Sequence, residues 1–155
     1  KTINLVSAGH NPLIYFDASS GDISRVNPSG MPLGVPLTGE SSFTDRLEEI
    51  SLKLHDNDLI FLFTDGLTDA VDRDRKQFGI NRIVSFFSSH ISSNGSVRVS
   101  ELSGELVRQV DDFAGFASPV DDMTFIMARA CFAKKAESSR TEAGPDAEVD
   151  RLDLS

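Results

Sequence analysis

The run Leu59-Ile60-Phe61-Leu62-Phe63 holds no polar residue and stops abruptly at Thr64-Asp65-Gly66. A strand with one solvated face alternates apolar and polar residues. A continuous apolar run of this length therefore reads as a strand buried on both faces. It is far too short to cross a bilayer. Such a strand needs covering layers, and two helical patterns supply them. Ile80, Ile83, Val84, Phe86 and Phe87 recur at helical spacing after Gly79. A second helix is expected from Val99 to Phe113, with Leu102, Leu106, Val110 and Phe113 as its apolar stripe. The Phe residues at helical spacing read as core, not as a base-stacking platform.

Before that strand, Ile3 to Ser7, Leu13 to Phe16 and Ile23 to Val26 read as short strands joined by turns, an opening β-meander. Residues 27–36 hold three prolines and two glycines, which rules out a regular element. Leu47, Ile50, Leu52 and Leu54 suit strands, with Glu48 and Glu49 in a turn or on an edge. His55-Asp56-Asn57-Asp58 reads as a polar turn. Leu67 to Val71 looks briefly helical, Ser88 to Ser96 reads as a serine-rich loop, and Gly115 to Pro119 reads as a loop. Within the first of these loops, Asn94-Gly95-Ser96 fits a glycosylation sequon but reads as plain loop. Met123 to Ala128 is a further strand. Lys134 to Ser155 has few large apolar residues and is expected to be a disordered tail. The pattern is α+β: one domain of antiparallel sheets covered by helices.

The formal charge of -9 argues against nucleic acid and anionic membrane surfaces as partners. A single cysteine, Cys131, excludes an intrachain disulfide and a cysteine-rich zinc site. No signal peptide is visible, so a cytoplasmic location is expected. The first residue is Lys rather than Met, as in a segment that starts inside a longer protein. Asp72-x-Asp74 begins like an EF-hand loop, but its sixth position is Gln77 and its twelfth is Ile83. There is no Walker A pattern.

Asp65 lies where the buried strand meets a glycine turn, and Asp121 and Asp122 lie at the mouth of another strand. If those strands are antiparallel neighbours, the carboxylates converge at one end. Carboxylates on rigid strand ends suit Mg²⁺ or Mn²⁺. Two such ions can hold a phosphoryl oxygen and activate a water, with no Ser, Cys or His nucleophile. Taken singly, Asp-Gly is also a common turn and Asp-Asp a common solvated cap. His10, beside a turn, could polarise a phosphate, bind metal, or simply be satisfied by backbone.

Four blocks occur in order: SAGHNP (Ser7 to Pro12), GMPLGV (Gly30 to Val35), LIFLFTDGLTDA (Leu59 to Ala70) with Phe78-Gly79, and DDMTFIMAR (Asp121 to Arg129). Together they resemble the SpoIIE/RsbU-like bacterial branch of the metal-dependent type 2C serine/threonine phosphatases, over roughly residues 1 to 130. The resemblance implies a β-sandwich flanked by helices, with metals at one end of the sheets. It implies Asp65 and Asp121 as metal ligands and Asp69 as a contributor to a weaker third site. His10 is an auxiliary candidate, and Asp122 shapes the loop. The nucleophile is then a metal-bound water, with two Mn²⁺ or Mg²⁺ ions in a complete domain. The implied substrate is phosphoserine or phosphothreonine on an anti-sigma-factor antagonist in a partner-switching pathway.

One departure matters. The family's Gly-Asp-x-x-Asp block, whose first Asp bridges both metals, belongs upstream of SAGHNP and does not occur here. The expectation is that residues 1–132 are the C-terminal portion of the phosphatase domain, weak in metal binding alone, and residues 133–155 a tail. An incomplete sheet is expected to expose an apolar face or edge, so a homodimer, with or without strand swapping, is a further expectation. Two rivals stand beside the enzyme: a catalytically dead module that docks a phosphoprotein, and a structural sandwich whose carboxylates are surface turns.

Overall fold

The computed structural model describes residues 1–36, 42–91, 97–115 and 121–132. The expected tail, the Asn94-Gly95-Ser96 sequon and most of the Gly115 to Pro119 loop lie outside these residues. Among these residues six strands and three α-helices follow in order, with one 3-10 turn (Thr44–Arg46) before β4: β1 (Thr2–Val6), β2 (Leu13–Phe16), β3 (Ile23–Val26), β4 (Glu49–Lys53), β5 (Leu59–Phe63), α1 (Asp65–Thr68), α2 (Gly79–His90), α3 (Val99–Ala114) and β6 (Phe125–Arg129). They form a four-stranded antiparallel sheet ordered β3-β2-β5-β6 and a two-stranded antiparallel ribbon, β1-β4.

The α+β class with antiparallel sheets and covering helices is what the structure has. The opening meander is not. Only β2 and β3 form a hairpin, whereas β1 pairs with β4, Thr2 opposite Lys53 and Val6 opposite Glu49. The block after β1 carries the chain out of that ribbon into the other sheet before β2 begins, so β1 and β2, adjacent in sequence, do not pair. The short helix α1 begins at Asp65, earlier than the Leu67 start expected. Helix α2 runs on to His90, past the expected loop start at Ser88, and His90 Nδ1 lies 2.9 Å from the Phe86 carbonyl.

The core lies between the four-stranded sheet and the helices. Leu59, Phe61 and Phe63 of β5 are buried against Phe86 and Phe87 of α2 and Leu102, Leu106 and Val110 of α3. Phe61 meets Phe87 edge-on at 5.0 Å between ring centroids. Ile60 and Leu62 face the other way and are only half-buried. The expectation that β5 is buried on both faces is thus half right. On the second face Leu62 pairs with Ile126, which is 61% exposed, and the β1 residues Leu5 and Val6 reach only to a cleft beside Leu62.

At the end of β5 away from Asp65, the expected polar turn hides a buried carboxylate. Asp58 is 1% exposed and accepts from the Tyr15 hydroxyl (2.6 Å) and the backbone N–H groups of Ala18 (2.9 Å) and His55 (2.7 Å). Burial, followed by the hydrogen bond to Asp58 and the charges of Asp58 and Asp17, pushes the Tyr15 phenol well above its ordinary range. A raised folded-state value means the stabilisation is whole below the unfolded value, about 10, and is lost as pH climbs through the folded-state value. Tyr15 is the only tyrosine, and the chain has no tryptophan. Phenolate absorbance is therefore expected only together with loss of the far-UV circular dichroism signal. Titration in the ordinary tyrosine range with the fold intact would contradict this.

Candidate functional site

Strand β5 delivers Asp65 at its C-terminal end, and Asp121 and Asp122 precede β6. Because β5 and β6 are antiparallel neighbours, with Phe63 opposite Phe125, all three aspartates come to the same end of the sheet. Two threonines lock that end. The Thr64 N–H donates to the Thr124 carbonyl (2.9 Å), and the Thr124 N–H donates back to Thr64 Oγ1 (3.0 Å). Thr64 Oγ1 also donates to the Asp122 carbonyl at 3.2 Å.

Gly66 lets the two segments touch. A Cβ built there would lie 2.4 Å from the Asp122 carbonyl oxygen and 3.3 Å from that of Asp121. No real side chain tolerates the first distance, so glycine after Asp65 is a packing requirement. Gly30 does the same for the first two blocks: a Cβ there would sit 1.7 Å from the Ser7 carbonyl oxygen. Asn11 Nδ2 reaches the Phe63 carbonyl at 3.5 Å, and His10 lines a shallow hollow with Phe63, Thr64, Thr124 and Ile126. All four sequence blocks therefore gather at one end of the sheets.

The side chains are placed as follows. Asp65 is exposed at the first position of α1, and Asp121 and Asp122 are exposed. Asp121 Oδ1 accepts from the Asp122 N–H at 2.8 Å. Asp69, half-buried one turn after Asp65, accepts from Gln77 Nε2 at 3.0 Å through Oδ1. Gln77 is fixed in turn, because Arg82 Nη1 donates to the Gln77 carbonyl (3.0 Å) while its guanidinium lies 4.4 Å from the centre of the Phe113 ring. His10 is exposed, with Nδ1 2.9 Å from the Asn11 carbonyl, the backbone-satisfied arrangement weighed from sequence.

Sequence reasoning missed the threonine pair and Gln77. Each threonine stands inside a recognised block, Thr-Asp-Gly and Asp-Met-Thr, but only the register between β5 and β6 shows that they meet. Nothing local marks Gln77 as a partner of Asp69.

Among the described residues, no three His, Cys, Asp or Glu side chains stand together as a ready metal cage. The donors at the sheet end are carboxylate oxygens, the hard type that suits Mg²⁺ or Mn²⁺. The fit is therefore right in chemistry and partial in number.

Comparison with other proteins decides the family. The profile of Stage II sporulation protein E (SpoIIE) matches residues 1–130. The chain belongs to the SpoIIE family. A curated relative, Protein IcfG of Synechocystis sp., is 27% identical over 124 residues, which cover 80% of this chain and 18% of that protein. Among solved structures, the SiaA-PP2C domain of Pseudomonas aeruginosa superposes with a TM-score of 0.63 at 19% identity, over 82% of this chain and 46% of that one. The SpoIIE phosphatase domain of Bacillus subtilis, presoaked in Mn, gives 0.57 at 13% identity, over 86% and 53%. The RsbU and RsbW domains of Rv1364c from Mycobacterium tuberculosis give 0.57 at 23% identity, over 86% and 34%. These likenesses establish the fold as that of PP2C-type phosphatase domains. The SpoIIE-family chain described here spans about half the length of the solved phosphatase domains it matches and under a fifth of Protein IcfG.

Proposed function

We propose that this SpoIIE-family chain supplies the Asp65 and Asp121 half of a two-metal phosphatase centre, in a protein whose remaining carboxylates lie outside residues 1–132. The supporting observation is the junction of Thr64-Asp65-Gly66 with Asp121-Asp122-Met123-Thr124, which gathers acidic groups at one sheet end on rigid strands. The chain spans about half of its structural relatives, and among the described residues no three candidate ligands stand close enough together to hold an ion, so the complement of the site is assigned to the rest of the protein. The substrate is phosphoserine or phosphothreonine on a regulatory protein, an anti-sigma-factor antagonist by analogy with the family. The protein acts in the cytoplasm.

Asp65 and Asp121 would hold divalent ions, which would supply an activated water and neutralise phosphoryl charge. The chain's own residues do the positioning. Gly66 and the threonine pair set the separation of Asp65 from Asp121. The Asp122 N–H fixes the rotamer of Asp121 by holding Oδ1. Gln77 orients Asp69 by holding Oδ1, and Asp69 would contribute to a third, weaker ion site. A hydrogen-bonded carboxylate is a better-oriented ligand. His10 stands at the rim, where its ring can meet a phosphate oxygen.

The test is hydrolysis of p-nitrophenyl phosphate with Mn²⁺, comparing this chain with the longer protein. Activity confined to the longer protein and stopped by EDTA supports the proposal. Hydrolysis that EDTA leaves untouched overturns it.

A further inference from the structure

Between Asp69 and α2 the chain makes a tight turn whose tip, Arg73-Asp74-Arg75-Lys76, is exposed. It is unusually well braced for a surface loop. Asp72 Oδ1 accepts from the N–H groups of Asp74 (2.9 Å) and Lys76 (2.9 Å). The Asp72 N–H donates to the Lys76 carbonyl (3.0 Å), and the Arg75 N–H donates to the Asp72 carbonyl (3.0 Å). A bridge between Val71 and Gln77 closes the root, and Gln77 itself bonds Asp69. Arg73 Nε lies beside Gly115 at the end of α3, 3.9 Å from where a Cβ there would stand.

Two features of this turn have no structural use. Arg75 sits at φ 62°, the left-handed region that glycine and asparagine enter far more readily than arginine. Gly or Asn would make the same turn with less strain, and backbone strain held at a defined position is a pointer to function. The Asp72 carboxylate is committed to backbone N–H groups, and among the described residues Arg75 and Lys76 form no ion pair. The result is a braced turn that presents two exposed cations with no ion pair among the described residues, beside the exposed Asp74, on a chain of net charge -9, one residue from the group that orients Asp69.

We infer that the Asp72–Lys76 turn is a docking element whose Arg75 and Lys76 receive an acidic segment of the substrate protein, beside the phosphorylated residue. The inference rests on the phosphatase reading above. Acidic centres repel acidic protein segments, so a substrate with acidic flanks needs a cationic contact at the rim. A preorganised turn loses little entropy in making it.

The experiment uses the longer protein and two phosphoserine peptides, one flanked by Asp and Glu, the other by Lys. The native protein is expected to favour the acidic peptide about tenfold, mostly through KM, and less so at high salt. Arg75→Glu with Lys76→Glu is expected to abolish or invert that preference and leave p-nitrophenyl phosphate hydrolysis unchanged. Arg75→Gly relieves the backbone, so it is expected to weaken the preference at equal or higher Tm, the opposite of what a structural role predicts. An unchanged preference in the double-charge variant overturns the inference. So does a parallel loss of hydrolysis of p-nitrophenyl phosphate and both peptides. Fluorescence anisotropy of labelled peptides reads the same preference without turnover. A protein that hydrolyses nothing yet prefers the acidic peptide retains the docking element and loses only the phosphatase reading.

Discussion

Asp58→Ala is expected to destabilise the fold by about 3–5 kcal/mol, read as a lower urea midpoint at constant m. Asp58 is buried and serves three donors: the Tyr15 hydroxyl and the N–H groups of Ala18 and His55. Alanine leaves the Tyr15 and Ala18 donors unpaired in a buried site and the His55 N–H in a part-buried one, at roughly 1–3 kcal/mol for each buried donor before relaxation, and adds a small void. The carboxylate also joins three parts of the chain: β2, the β2–β3 turn and the turn that leads into β5. Tyr15→Phe removes only one donor together with its need for a partner, so about 1 kcal/mol is expected. A loss below 1 kcal/mol in Asp58→Ala would show that water reaches these donors and that the network is not a support.

Gly66→Ala is the second large effect. The added Cβ would stand 2.4 Å from the Asp122 carbonyl oxygen, which is backbone and cannot swing aside. The Asp121–Asp122 segment must therefore move. Overpacking of this kind costs about 1–3 kcal/mol. The larger consequence is chemical, since a shift near 1 Å between catalytic groups can cost about 100-fold in rate. Activity of the longer protein is thus expected to fall much further than its stability. Gly104→Ala is the matched control: Gly104 lies within α3 with open space around its Cβ position, so stability is expected to rise by up to about 1 kcal/mol with activity unchanged. Equal activity in Gly66→Ala and native protein would show that the two aspartate segments do not work as one site.

What the sequence revealed follows from the range of the interactions involved. The helices were legible because Ile83, Phe86, Phe87, Leu102, Leu106 and Val110 repeat with the helical period. The strand β5 was legible because an apolar run ends at a glycine turn. The pairing of β1 with β4 was not legible, because both strands alternate equally well and nothing local names a partner. Asp58 looked like any turn aspartate. Its burial depends on Tyr15 and Ala18, some 40 residues away. Asp65 and Asp121 were placed at strand ends from sequence, and the β5–β6 register brings those ends together. The threonine lock, the Gly66 contact and the Gln77 hydrogen bond are the tertiary details that make the convergence possible.

The central claim is that Asp65 and Asp121 serve one metal-dependent phosphatase centre. The most direct test is Mn²⁺-dependent hydrolysis by Asp65→Asn and Asp121→Asn versions of the longer protein, each first shown to be folded. Losing even an outer-shell partner of a metal ligand costs about 10–100-fold, so losing a ligand is expected to cost at least about 100-fold in kcat/KM. The same variants are expected to lose the stabilisation that Mn²⁺ gives the native protein. Native activity and an undiminished Mn²⁺ response in either variant would contradict the account.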